Sequence, residues 1–284
     1  MNTKKLSQLM LMLTIAGAVA ISGCKKDKDE PDTDTDVAND NSFAERTYDD
    51  VKSMSDQAGD NGSLSTYRVG DNSGLLSSCA TITNDTTVNP HILTIDFGAT
   101  NCLCNDGKNR RGKIIISYQG AYRDSGSTHS FSFDNYFVND YKVLGTKTVT
   151  NLGHNSNNQL VYSVAVNGSI INPSGQTMTW SSQRTRTWVA GETTLGVLND
   201  EYDITGSANG TSFAGTSFTA TITSALHVKF NCFVTNPGSS LITNGTFDLV
   251  PSGKATRTFD FGTGACDNLA TVTINGNTYN ITLR

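Results

Sequence analysis

The stretch Val272–Leu283 reads VTINGNTYNITL. Val272 and Ile274 alternate with Thr271 and Thr273. Beyond Asn275-Gly276, Tyr279, Ile281 and Leu283 alternate with Thr278, Asn280 and Thr282. A strand sends successive side chains to opposite faces, so this spacing predicts two strands with one apolar and one hydroxyl face. Asn-Gly supplies the positive φ angles of a two-residue hairpin turn. The same alternation runs back through the chain. Leu160, Tyr162, Val164 and Val166 share one parity, as do Phe218, Ala220 and Ile222 opposite Thr219, Thr221 and Thr223, and then Leu226, Val228 and Phe230. Asx-Gly pairs beginning at 106, 167, 209, 244 and 275 are read as the turns between such runs. Strands this closely spaced pair with their neighbours antiparallel, roughly 13–15 of them. The expected fold is mainly β: an antiparallel meander forming a two-layer sandwich or a strongly curled sheet. A closed membrane barrel is disfavoured, because the strands lack wide lipid-facing bands and aromatic girdles.

Composition agrees. Only 36% of the 284 residues are hydrophobic and 17% are charged, with 26 Gly against 5 Pro. That excludes a coiled coil and a polytopic membrane protein. Lys and Arg number 21 against 26 Asp and Glu, so no basic footprint for nucleic acid exists.

The N-terminus reads as an address. Lys4 and Lys5 precede an apolar run from Leu9 to Ile21, too short to span a bilayer core and placed as a secretory signal is. Ile21-Ser22-Gly23-Cys24 follows and resembles the lipobox of bacterial lipoproteins. The resemblance implies diacylglycerol transfer to the Cys24 sulfur, cleavage before it, and insertion of the acyl chains into membrane lipid. Residues 1–23 are then the signal peptide. Residues 24–41 are the lipidated cysteine and an acidic tether, with seven acids and three lysines between Lys25 and Asn41, expected to be disordered. An acidic run directly after the cysteine resembles the export signal of surface lipoproteins in Bacteroidota, which implies the outer membrane.

Residues 42–74 are expected to hold one helix and a loop. Ser42 stands three residues before Glu45, as in a capping box, and Phe43, Tyr48, Val51, Met54 and Ala58 form one apolar stripe. The reading is an amphipathic helix over 43–58 lying on a sheet. The β domain occupies 75–284.

A weak internal repeat crosses that domain. Asp96-Phe97-Gly98 is followed by Cys102 as Asp260-Phe261-Gly262 is followed by Cys266, each with an upstream cysteine, Cys79 and Cys232. In a disulfide-permissive compartment the repeat predicts Cys232–Cys266, and Cys79 with Cys102 or Cys104.

Motifs for chemistry are sparse. His91, His129, His154 and His227 stand apart, and no metal or cofactor signature occurs. No catalytic residue is assigned; Asp134, Asp140, Asp200, Glu201 and Asp203 are the strand-borne acids available to a hydrolase. Two clusters suggest binding. Lys108, Arg110, Arg111 and Lys113 surround Asp106-Gly107 as a candidate anion loop. Trp180, Arg184, Arg186 and Trp188 share one parity, an aromatic and hydrogen-bonding face suited to a glycan or an envelope protein.

Taken in order, Cys102-Leu103-Cys104-Asn105-Asp106-Gly107, Arg110-Arg111-Gly112-Lys113, Phe133-Asp134-Asn135-Tyr136 and Cys266-Asp267-Asn268 resemble an uncharacterised group of Bacteroidota lipoproteins. The resemblance implies a β-rich fold and membrane anchoring. The functional expectation is a lipid-anchored, non-enzymatic binding or envelope-structural module. The alternatives are a hydrolase acting on an envelope polymer and an accessory subunit of an outer-membrane complex.

Overall fold

The structure, a computed structural model, describes residues 32–61, 80–194 and 198–283. The signal peptide, Cys24, Cys79 and most of the loop expected up to 74 lie outside them. A helix α1 (Asp36–Asn61) precedes the strands β1 (Thr81–Asp85), β2 (His91–Asp96), β3 (Cys102–Leu103), β4 (Asn109–Gln119), β5 (Thr128–Val138), β6 (Tyr141–His154) and β7 (Leu160–Ile171). Then come β8 (Thr177–Ala190), β9 (Glu201–Thr211), β10 (Ser217–Lys229), a single turn α2 (Cys232–Thr235), β11 (Ile242–Pro251), β12 (Arg257–Thr263), β13 (Leu269–Ile274) and β14 (Asn277–Thr282). Among the described residues no helix is long and apolar enough to cross a membrane.

The strands form one antiparallel 14-stranded meander that runs from β1 to β14 without closing, and β3 pairs only with β4. Sequence neighbours are sheet neighbours because the connections are short. Three hairpins, after β6, β7 and β9, use the same loop, closed by paired bonds such as Asn172 N to Gln176 O and Gly175 N to Asn172 O, both 2.9 Å. The sheet curls around α1, which packs against the well-separated strands β2, β8 and β11. One face therefore points inward. On β8 the side chains from Met178 to Trp188 at even positions are buried and those at odd positions are exposed or half-exposed. Leu160, Tyr162, Val164 and Val166 are buried on the same inner face, each large apolar side chain contributing about 1.5–3 kcal/mol.

The helix departs from its expected bounds. It starts at Asp36, not at Ser42, and takes in the last residues assigned to a disordered tether. Val37, Ala38, Asp40 and Asn41 are buried, and Ser42 is an interior helical residue rather than a cap. Acids upstream provide the entry: Asp34 Oδ1 accepts the Asp36 amide at 2.9 Å, and Asn39 N donates to Thr35 O at 3.0 Å. Asp32 pairs with Arg257 at 2.6 Å, and Asp34 pairs with Lys254. The apolar stripe lies against the sheet as expected, and the sheet curls beyond that stripe. The stripe Phe43, Tyr48, Val51 and Met54 is buried, and so are Ala38, Ser42 and Glu45 on the opposite arc, because the sheet curls past the stripe.

The Asx-Gly pairs also divide. Asn275-Gly276 is the hairpin turn expected, with both residues at positive φ. Asn167-Gly168, Asn209-Gly210 and Asn244-Gly245 instead lie inside β7, β9 and β11. There the missing side chain serves close approach. A Cβ on Gly168 would sit 1.9 Å from Tyr48 Oη, whose hydroxyl donates to Leu144 O at 2.9 Å. Gly168→Ala is expected to displace Tyr48 and destabilise the fold by about 1–3 kcal/mol, read as a lower urea midpoint with unchanged slope.

Candidate functional site

The inner face of β8 and the side of α1 that meets it form the densest cluster of functional side chains. Trp180, Arg184, Arg186 and Trp188 share a face as expected, but it is the inner one, and all four are buried. Glu45, Tyr48 and Asn41 occupy the space that an external ligand would need. Arg184 Nε donates to Glu45 Oε1 and Oε2 at 3.1 and 3.2 Å. Trp180 Nε1 donates to Asn41 Oδ1 at 2.9 Å, and the Tyr48 ring stacks on Trp180 at 5.6 Å and 6°. Arg186 lies 3.8 Å from the centre of the Tyr202 ring, and Arg123 covers Trp188 at 4.4 Å. The parity was right and the exposure was not. In this chain threonine, not tryptophan, faces water, so Trp180, Arg184, Arg186 and Trp188 form no external glycan face.

Lys147 completes the seam from β6. Its Nζ donates to Tyr48 O at 2.7 Å and lies 3.5 Å from Asp49. Burial pushes the ammonium below the usual lysine range, against the pull of Asp49. Glu45 and Asp49 fall one helical turn apart, so each meets a cation on the facing sheet. That spacing was present in the sequence, but nothing local marked which strands would answer it. Two cavities flank this seam, of about 10 Å³ beside Lys147, Ser182 and Arg184 and about 20 Å³ beside Arg46, Lys108 and Ser240, each the size of a water or two.

The four cations of the expected anion loop do not converge. Arg110 is fully buried and forks onto Asp106, at 2.7 and 2.6 Å. Lys108 reaches Asp50 on α1. Arg111 turns outward to Asp140 and Asn101 and stacks 3.8 Å over the Phe137 ring, and Lys113 pairs with Asp96 at 3.0 Å. The cause is local: β4 begins at Asn109, so alternation separates Arg110 from Arg111, and a register shift at Gly112 re-aims Lys113. The loop is a set of ion pairs rather than an open anion site. Burial raises the Asp106 carboxyl, but the hydrogen bonds and charge of Arg110, helped by Lys108, outweigh it and hold the group below the ordinary carboxylate value.

The remaining candidates are dispersed. Asp134 is exposed, Asp200 is buried beside Tyr202, and Glu201 and Asp203 flank His227 at 3.2 and 2.7 Å. His154 meets Glu192 at 2.8 Å, His91 bonds Val88 O at 2.9 Å, and His129 packs among Tyr118 and Tyr122. Among the described residues no group of three or more His, Cys, Asp or Glu is placed to hold a metal ion.

Cys232 and Cys266 are disulfide-bonded, with Cα atoms 5.1 Å apart and a sequence separation of 34, a closure that contributes about 4 kcal/mol through the unfolded state. Cys102 is also disulfide-bonded, and Cys104 is the buried free thiol among the described residues. The two Asp-Phe-Gly copies share a build. Asp96 Oδ1 accepts the Gly98 amide at 2.8 Å and Asp260 Oδ1 that of Gly262 at 2.7 Å, while Phe97 and Phe261 are buried. Comparison with known proteins finds no matching family model, no matching curated protein and no matching solved structure.

Two outcomes test this seam. Removing one partner of a buried pair strands the other charge, so Glu45→Met alone should cost about 3–5 kcal/mol, and adding Arg184→Met should recover much of that loss in a denaturation cycle. Asp106 titrates lower folded than unfolded, so its stabilisation is full above the unfolded value of about 3.9 and is lost as pH falls through the lower folded value. Thermal melts of Asp106→Asn should accordingly show a shallower decline below about pH 4 than the wild type.

Proposed function

We propose that the chain is a lipid-anchored outer-membrane lipoprotein acting as a non-enzymatic binding or envelope-structural module. The observation that carries this reading is the junction between the acylation sequence and the fold. Cys24 closes the lipobox, and by Asp32 and Asp34 the chain is already ion-paired to Arg257 and Lys254. The eight peptide units from Cys24 to Asp32 reach at most about 29 Å. An anchor tied so directly into α1, which lies inside the sheet, suits a module held close to a membrane surface. Several acyl chains at about 0.8 kcal/mol per buried methylene make such an anchor effectively permanent.

In a bacterial host, the wild type is expected to incorporate labelled palmitate and to sediment with outer-membrane vesicles, and protease shaving of intact cells then reports which leaflet it faces. Cys24→Ala should lose the label and pass to the soluble fraction. Retention of that variant in the membrane pellet would remove the basis for the proposal.

A further inference from the structure

The outward face of β5–β10 is chemically uniform. One register row crosses Ser130, Thr148, Ala165, Gln183, Ser207 and Thr221. The row beside it crosses Ser132, Thr146, Asn167, Ser181, Asn209 and Thr219. On the other side a third row crosses Thr128, Thr150, Ser163, Thr185 and Thr205. Every position is exposed or half-exposed, none carries a charge, and Ala165 alone lacks a hydroxyl or amide. Charges begin at the borders, with Asp134 further along β5, Asp203 and His227 beyond the third row, and Asp248 opposite Thr221 on β11.

The groups of the central row are also free to bind. Thr179 and Thr211, at the margin, bond each other at 2.8 Å, whereas Thr148, Gln183, Ser207 and Thr221 engage no other described side chain. Strand geometry sets these groups about 4.8 Å apart across the sheet and about 6.7 Å apart along it. The chemistry of the grid selects its partner. An ionic polymer would give up hydration against a surface that returns no counter-charge. A peptide strand needs free backbone groups, and interior strands have theirs paired. A neutral polyhydroxylated chain matches donor to acceptor at every hydroxyl and amide, while threonine methyl groups meet its C–H faces.

We infer that this outward grid docks an uncharged glycan polymer. The inference rests on the reading of the chain as an envelope module and names that module's partner. It places the glycan on the opposite parity of β8 from the buried tryptophans.

The test is affinity electrophoresis of the acylated full chain, solubilised in neutral detergent, in gels containing a neutral β-glucan, a neutral xylan or polygalacturonate. Migration should be retarded by at least one of the neutral polymers and not by the anionic one. Ser130→Glu with Gln183→Glu, exposed positions of the same row set three strands apart so that the new charges do not oppose each other, should weaken the retardation at least tenfold at unchanged melting temperature. Gln183→Ala with Ser207→Ala should weaken it a few-fold. Unchanged migration in both neutral polymers, or retardation that survives the glutamates, would overturn the inference. So would light scattering that shows a dimer converted to monomer by the same substitutions, since the grid would then be a contact between copies. Palmitate labelling of Cys24 in the same preparations reports separately on the envelope reading.

Discussion

Arg184 forks onto Glu45 inside the curl of the sheet, with neither side chain more than 5% exposed. The architecture around that pair follows from its cost. Eight strands enclose a lumen that side chains alone can fill, whereas a curl of 14 strands leaves more space than its own side chains occupy. Something must take up the excess, and α1 does. A helix carrying Glu45, Asp49 and Asp50 enters a low-dielectric interior only if each acid meets a cation, which Arg184, Lys147 and Lys108 supply. The dependence is mutual. Without α1 the sheet would lose its filling and Arg184 and Lys147 their partners, Glu45, Asp49 and the Tyr48 carbonyl, so helix and sheet stand or fall as one unit.

That arrangement inverts the usual distribution of polar groups. Arg110, Arg184, Arg186, Arg257 and Lys147 are all buried, while the outward strand faces rely on Thr, Ser and Asn. Arginine suits the interior because its planar fork satisfies a carboxylate with two bonds, as Arg110 does with Asp106. Lys147 spreads its single ammonium between a carbonyl and Asp49. The interior is therefore rich in paired charge, while the outward rows of β5–β10 carry none.

The alternation of Leu160–Val166 or Phe218–Ile222 was enough to read an antiparallel meander, since period two is a local property. The Cys232–Cys266 bond was legible because the two repeat copies imply matching pairs. Three features were not legible, each for a non-local reason. Asp32 and Asp34 looked like a solvated run because their partners, Arg257 and Lys254, lie more than two hundred residues away. Trp180 and Arg184 had the right parity, but only the position of α1 decides which parity is inside. Asn167-Gly168 carried a turn signature, yet the Tyr48 hydroxyl, from a distant element, is what requires a glycine there.

An open sheet has two margins to stabilise, and the Asp-Phe-Gly repeat sits near both. One copy ends β2, next to the edge strand β1; the other lies in β12, two strands from the edge strand β14. In each, the aspartate caps the glycine amide, the phenylalanine is buried, and a disulfide-bonded cysteine follows at the same offset. The edge strands are short and polar on their exposed positions, which discourages pairing with another chain. The repeat fixes the strands just inside those edges by a buried ring and a covalent cross-link. The margins of the sheet can then stay unpaired while the ion pairs of α1 hold its centre.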